Sequence, residues 1–192
     1  MTLQTLLDRA QDDDTQAFAE IREQYEPRIR RFASRMIYNS VDVEDIVQNT
    51  FIAFYKNLSR ITSSEHVRPF LFRVARNLSY DYLRDHYRQE QVTLDKCDYQ
   101  LSDNLVSPEE RVHWGMLLDH VRQAIDCLPD LQRETLILYV EEQLTQAEIA
   151  SVMHTEIGTV KSRLHYARKI LQQSLPPDIL RAIRTSKKSS KV

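Results

Sequence analysis

LPDLQRETLILYVEEQLTQAEIASVMHTEIGTVKSRLHYARKIL, residues 128–171, is the stretch that decides the fold. It reads as three helices with two tight connections. The first runs from Leu131 to about Glu142, opens after Pro129-Asp130, and carries apolar Leu131, Leu136, Ile137, Leu138 and Val140. The second begins at Thr145, where Thr-Gln-Ala-Glu is a capping box: the Thr145 hydroxyl accepts from an orphan amide and Glu148 reaches back. It is about two turns long, with Ile149, Ala150 and Met153 expected inside. The connection His154-Thr155-Glu156 leads into the third helix, whose Ile157, Val160, Leu164, Ala167 and Leu171 fall on one stripe. A short helix, a tight turn and a second helix make a helix-turn-helix, whose second helix enters the DNA major groove. The turn needs a left-handed residue where His154 stands. Glycine is usual there, and histidine adopts that conformation at a cost of about 1 kcal/mol.

The third helix has the chemistry for DNA. Its outward positions hold Thr159, Lys161, Ser162, Arg163, His165, Arg168 and Lys169. All of these donate hydrogen bonds or neutralise phosphate. A basic face alone fits a solvated packing helix equally well. The capping box, short helix and short turn before it decide for DNA.

Composition fixes the class. The chain has 192 residues and only two glycines, Gly115 and Gly158, too few for extensive tight β-turns, so the fold is expected to be all-α. Two cysteines, Cys97 and Cys127, make no CxxC pair and imply neither a zinc site nor a disulfide framework. His113, His120 and Cys127 recur every seven residues on one expected helix. That spacing is roughly 10.5 Å of rise, too far for two of them to share an ion. No metal or other cofactor is expected. The opening MTLQTLLDRAQDDD has no basic region followed by an apolar core, so no secretory signal is expected. The longest apolar run, Leu136 to Val140, is too short to span a bilayer. A soluble cytoplasmic protein follows.

The net charge of −2 hides segregation. Residues 1–26 carry 2 basic and 7 acidic groups, and residues 27–89 carry 11 and 6. Residues 90–143 carry 4 and 12, and residues 144–192 carry 9 and 3. Two basic blocks around an acidic one suggest two domains facing nucleic acid and an acidic connector.

In the first block, Thr15 to Tyr25 reads as one amphipathic helix with Phe18, Ile21 and Tyr25 on a face. Pro27 suits the first turn of another, with Ile29, Phe32, Ala33, Met36 and Ile37 inward, ending at Asn39-Ser40. Ser40 or Asp42 is expected to cap a third helix that runs to about Leu58 and buries Val43, Ile46, Val47, Thr50, Phe51, Phe54 and Leu58. Its opposite face is Asp42, Asp45, Gln48, Asn49 and an exposed Ile52. After a polar loop, Ser59 to Arg68, a fourth helix is expected from Phe70 to about Tyr87. Leu71, Val74, Ala75, Leu78 and Tyr82 form its inner side, and Arg73, Arg76, Asn77, Tyr80, Arg84 and Arg88 its outer side. Basic residues around an aromatic can follow phosphates and stack an unpaired base. A solvated face with a snorkelling tyrosine is the plain alternative.

Three motifs in order carry a resemblance. They are DVEDIVQNTF (Asp42 to Phe51), RPFLFRVARNL (Arg68 to Leu78) and GTVKSRL (Gly158 to Leu164). Together they resemble a bacterial RNA polymerase sigma factor of the extracytoplasmic-function class, which keeps only the region 2 and region 4 domains of the sigma-70 family. The resemblance covers about residues 15–88 and 108–172. It implies a region 2 four-helix domain over 1–88, a flexible acidic linker over 89–107 and a region 4 helix-turn-helix domain over 108–175. A basic tail over 176–192 follows. By resemblance, Asp42, Asp45, Gln48 and Asn49 dock on the β′ clamp helices of core polymerase, and region 4 meets the β flap. Arg73, Arg76, Asn77, Tyr80 and Arg84 lie along the melted −10 element. Thr159, Lys161, Ser162, Arg163, His165 and Arg168 read the −35 element of promoter DNA. An anti-sigma factor is a further partner that the resemblance admits. The linker, QEQVTLDKCDYQLSDNLVS, has no sustained period. Ser107-Pro108-Glu109-Glu110 then caps a helix running to Cys127. The rival reading is a stand-alone helix-turn-helix regulator. An enzyme finds no support, because no Gly-rich phosphate loop, paired-cysteine metal site or nucleophile elbow is present.

Overall fold

The computed structural model describes residues 1–37, 39–89 and 121–175, apart from the side chains of 87–89. Every regular element among them is helical. The helices are α1 (Leu3–Gln11), α2 (Thr15–Ser34), α3 (Ser40–Lys56), α4 (Val67–Gln89), α5 (Asp130–Val140), α6 (Gln146–Val152) and α7 (Ile157–Ser174). Residues 121–126 are also helical. Most of the expected linker, the capped start at Ser107-Pro108, His113, His120, and the tail lie outside the described residues.

The described residues fall into two compact units, residues 1–89 with 142–157 and residues 121–141 with 158–175. The first is organised by α2, α3 and α4. Ala17, Ile21, Tyr25, Ile29 and Ala33 follow one another at four-residue steps along α2 and are all buried. That unbroken row explains the main departure from expectation: α2 continues through Pro27 where the sequence suggests two helices. A proline inside a helix removes one hydrogen bond and costs about 3 kcal/mol. Five buried side chains in one register, each contributing about 1.5–3 kcal/mol when large and apolar, outweigh that. The helix also stops at Ser34, before the expected Asn39. Four α-helices do make up residues 1–89, but α1, absent from the sequence reading, replaces the one lost by fusion. Its Leu6, Leu7 and Ala10 are buried.

α3 buries Val43, Ile46, Val47, Thr50, Phe51 and Phe54, as its spacing predicts. Its cap is Asn39, whose side chain accepts from the Val41 N–H, rather than Ser40 or Asp42. The Thr50 hydroxyl donates to the Ile46 carbonyl at 2.7 Å, and buried Ser79 does the same to Ala75 at 2.8 Å. Neither buried polar group is thereby left unsatisfied. α4 starts at Val67, three residues early, because Pro69 falls in the first turn where no partner is needed for its missing N–H. Phe32 and Phe72 meet edge to face at 5.4 Å and lock α2 to α4.

α6 also packs on α4. The capping box is present in full: the Glu148 N–H donates to Thr145 Oγ1 at 3.2 Å, and the Thr145 N–H donates to Glu148 Oε2 at 2.7 Å. Ile149, Ala150 and Met153 are buried, and so is Val152. His154 takes the expected left-handed backbone, φ 48°. In the second unit, α7 buries Val160, Leu164 and Ala167, while Ala124 and Leu175 meet with Val121 and Leu171 packed against them. Ile157 is 45 % exposed, not buried as its place on the stripe suggests. It stands in the first turn, where α7 has not yet closed over its own core side. Leu131 and Val140, at the two ends of α5, are exposed as well.

Two tests follow from these helices. Pro27→Ala should raise the unfolding free energy by about 1–3 kcal/mol, read by urea titration, because it restores a hydrogen bond inside a continuous helix. A neutral or negative change would contradict the continuity of α2. Glu148 is pushed upward by burial, but hydrogen bonds from Thr145 and Arg68 outweigh this and hold its carboxyl below the usual range. Its contribution is therefore full above the ordinary carboxylate value and lost as pH falls through the lowered one. Glu148→Gln should flatten the acid limb of the stability profile, and an unchanged limb would contradict the assignment.

Candidate nucleic-acid and polymerase interfaces

Three surfaces carry the residues that the sequence singles out. On α3, Val41, Asp45, Gln48, Ile52 and Tyr55 recur at steps of four and three, which is one stripe of a helix. All five are exposed, with Val41 at 67 % and Tyr55 at 55 %. Asn49 is exposed beside them. Asp42 is only half-buried at the edge, and its carboxylate accepts from the Tyr82 hydroxyl at 2.6 Å. An exposed stripe mixing large apolar groups with carboxylate and amide is unlike a solvated face, and it has the character of an interface. Val41 and Tyr55 belong to it, although the sequence reading passes over both.

The second surface is the outer side of α4 with the loop before it. Arg73, Arg76, Asn77, Tyr80 and Arg84 lie along one flank, as expected, none of them buried. The Arg73 guanidinium sits 5.6 Å over Phe70, and Arg76 sits 4.6 Å over Tyr80. Arg84 pairs with Asp81 at 2.8 Å. A cation over a ring that is still partly solvated contributes about 0.5–1 kcal/mol. Base stacking on an aromatic contributes about 1–3 kcal/mol. An unpaired base can therefore displace Arg76 from Tyr80 and leave it free for phosphate. A cavity of about 310 Å³ opens where Asn57, Arg60, His66, Phe70 and Arg73 converge.

The loop that walls this cavity is braced by α1. The Gln11 side-chain amide donates to the Leu58 carbonyl at 2.8 Å and to the Ile61 carbonyl at 2.9 Å. The Gln4 side-chain oxygen Oε1 accepts from the Ser64 N–H at 2.7 Å. Single 3-10 turns at Leu58–Arg60 and Ser64–His66 result, in a stretch expected to be plain loop.

The third surface is α7. Lys161, Ser162, His165 and Arg168 are exposed, while Thr159 and Arg163 are half-buried. At 100° per residue, Arg163 lies at one edge of the buried stripe and Lys161 and Arg168 at the other. Arg168 also covers the Tyr139 ring of α5 at 5.7 Å. The Ser162 hydroxyl donates back to the Gly158 carbonyl at 3.1 Å, so it faces outward as an acceptor. Tyr166, 56 % exposed, stands on the open face, and the sequence reading, which singles out basic and hydrogen-bonding residues, passes over it.

Residues 21–89 match the family profile of sigma-70 region 2, and residues 118–171 match that of sigma-70 region 4. The ECF RNA polymerase sigma factor SigW of Bacillus subtilis is 30 % identical over 183 residues, which is 91 % of this chain and 97 % of SigW. The chain belongs to the extracytoplasmic-function class of the sigma-70 family. Its members are promoter-specificity subunits of RNA polymerase. The RNA polymerase sigma-H factor of Pseudomonas aeruginosa is 29 % identical over 91 % of this sigma factor and 94 % of its own length. The sigma factor RpoE of Bartonella quintana, solved with the anti-sigma factor NepR, is 25 % identical at a TM-score of 0.62. That likeness covers 84 % of this chain and 98 % of RpoE. CnrH, solved with the cytosolic domain of CnrY, shares the fold at a TM-score of 0.62 and 22 % identity, over 88 % of this chain and 94 % of its own. No described helix of this sigma factor is long and apolar enough to cross a membrane.

The region 2 match begins at Ile21, so α1 and its two glutamines lie before it. Gln11→Ala should leave helix content unchanged but make the 58–64 backbone exchange amide hydrogens faster. The effect should be confined to that segment, since two carbonyl partners are lost there. Protection that stays the same would show that the brace does not hold the loop.

Proposed function

We propose that this sigma factor docks on core polymerase through the exposed stripe of α3, with Asp42, Asp45, Gln48 and Asn49 as its polar contacts and Ile52 and Tyr55 as apolar ones. The second half meets the β flap. Arg73, Arg76, Asn77, Tyr80 and Arg84 hold the unpaired strand of the −10 element, with bases stacking on Tyr80. Thr159, Lys161, Ser162, Arg163, His165 and Arg168 engage the −35 element, where Ile157 and Tyr166 add apolar surface for thymine methyl groups. The working domains are 1–88 and 108–175, joined by 89–107 and followed by the tail 176–192. The protein acts in the cytoplasm, catalyses no reaction itself, and presents these same faces to an anti-sigma factor.

The observation that carries this reading is the α3 stripe. A free-standing DNA-binding regulator has no use for exposed Val41, Ile52 and Tyr55 around a carboxylate, whereas a subunit that works only on a larger enzyme does. Exposed substitutions that make no contact change stability by less than about 0.5 kcal/mol. Like charges brought together at a desolvated interface cost several kcal/mol of association.

Asp45→Lys should therefore keep the circular-dichroism spectrum and melting temperature while losing co-purification with core polymerase and promoter-dependent initiation. Normal initiation by Asp45→Lys would overturn the docking role and favour the free-standing regulator. On α7 two arginines should separate. Arg168→Ala should weaken binding similarly on all promoters and lower its salt dependence. Arg163→Ala should in addition blur base preference by roughly 1–3 kcal/mol. Identical behaviour across a promoter library would refute that division.

A further inference from the structure

α1 stands before the region 2 match and carries none of the residues assigned above to polymerase or promoter DNA. It is nevertheless tied to the loop that walls the cavity beside Arg73. Gln4 and Gln11 are seven residues apart, about two turns of helix, and so lie on the same side of α1. Leu6, Leu7 and Ala10 are buried, and α1 packs on α2. The loop has buried Leu58, Ile61 and Val67 as its own anchors. Its internal backbone bonds reach only three residues back: Arg60 N–H to the Asn57 carbonyl at 2.9 Å, Ile61 to Leu58 at 3.1 Å and His66 to Ser63 at 3.0 Å. Single 3-10 turns of this kind have poor hydrogen-bond geometry and hold weakly by themselves. The glutamines add ties that cross 47, 50 and 60 residues of chain.

The two amides play opposite parts. A backbone carbonyl only accepts, so Gln11 meets Leu58 and Ile61 with its Nε2 as donor. A backbone N–H only donates, so Gln4 meets Ser64 with its Oε1 as acceptor. Its Nε2 donates to Asp8 Oδ1 at 2.8 Å, which fixes the same orientation. The loop groups held are all backbone, so the glutamines determine where the loop side chains stand. Arg60, Ile61 and His66 project from that backbone and line the cavity with Asn57, Phe70 and Arg73. An aromatic wall, two guanidiniums, an amide and an imidazole suit an unpaired base, which is held by stacking and by hydrogen bonds to its edge.

We propose that Gln4 and Gln11 are positioning residues of promoter reading, holding the 58–64 backbone in the shape that lets Arg60 and His66 distinguish bases of the melted −10 element. This rests on the reading above that α4 and the loop before it hold that element. Attraction to the strand comes from the charge of Arg73 and Arg76, which the glutamines leave in place. Discrimination comes from hydrogen-bond alignment, which weakens steeply when donor and acceptor are misplaced. A loop freed from α1 therefore keeps its affinity for DNA and loses its choice of base.

The test uses the full chain assembled with core polymerase, and initiation from a promoter library randomised at the −10 and −35 elements. Gln11→Glu keeps the side chain's size but turns a carboxylate toward two carbonyls. It should reduce base preference within the −10 element by about tenfold, the scale of one mismatched position. Preference at the −35 element and co-purification with core polymerase should not change. Gln4→Leu should lose the same preference. Gln4→Glu keeps the acceptor for Ser64 and should keep the preference, when made together with Asp8→Asn so that a donor still faces an acceptor there. One substitution thus has opposite effects at the two glutamines, which a general loosening of α1 would not produce. Unchanged −10 preference in Gln11→Glu or Gln4→Leu would overturn the proposal. So would equal losses in Gln11→Glu and Gln4→Glu, or equal losses at both promoter elements. Should Gln11→Glu not fold, by circular dichroism, Gln4→Leu decides by the same readout. Unsubstituted protein with no −10 preference at all sinks the sigma reading and the proposal with it, whereas preference that survives the glutamine changes sinks the proposal alone.

Discussion

A carboxylate with no exposure to water has to be paired, and in this protein the pairing of Glu142 by Arg28 constrains much else. Arg28 lies one residue beyond Pro27, so its position depends on α2 running straight through the proline. The guanidinium is held between the Tyr25 and Phe72 rings, at 5.7 and 6.0 Å. Burial in turn raises the Tyr25 hydroxyl above its ordinary range, so it stays neutral beneath the ion pair. Helix continuity, aromatic packing and a buried charge thus form one chain of dependence. Removing Arg28 would take a cationic partner from a buried carboxylate, which costs more than the pair itself is worth.

The functional surfaces inherit their shape from the same packing. Phe54 stacks on Phe18 of α2 and meets Phe70 of α4, so the inner side of α3 is fixed and its outer stripe must face solvent. α1 then closes over the turns at 58–66 and fixes the wall of the cavity beside Arg73. The rigid parts are built from buried apolar rows, and the surfaces proposed to face DNA from arginines resting on half-buried rings. That division suits a subunit whose contacts must form and dissolve during one round of initiation.

Much of this was legible in the sequence because it depended on local periodicity. The buried row of α3 and the capping box of α6 are patterns within single helices, and the left-handed His154 follows from the turn between two of them. What escaped reading was non-local or ambiguous at short range. Nine residues with only Leu6, Leu7 and Ala10 buried give α1 little periodic signal. Pro27 reads as a helix start because the compensating row lies on both sides of it. Arg28 and Glu142 are 114 residues apart and leave no local signature. The residues expected to act on α4 and α7 were picked for charge and hydrogen-bonding groups, which is why Tyr166 was passed over, as were Val41 and Tyr55 of the α3 stripe.

The most direct test of the central claim, that one chain reads two separate promoter elements from α4 and α7, is cleavage by a tethered iron chelate. The chelate is attached to a cysteine at Asn77 or at Ser162, both exposed, in a chain whose own cysteines are serine. In complex with core polymerase and promoter DNA, the Asn77 probe should cut within the −10 element and the Ser162 probe within the −35 element. Without polymerase, neither should cut specifically. Cleavage of one shared site by both probes, or specific cleavage without polymerase, would contradict the account.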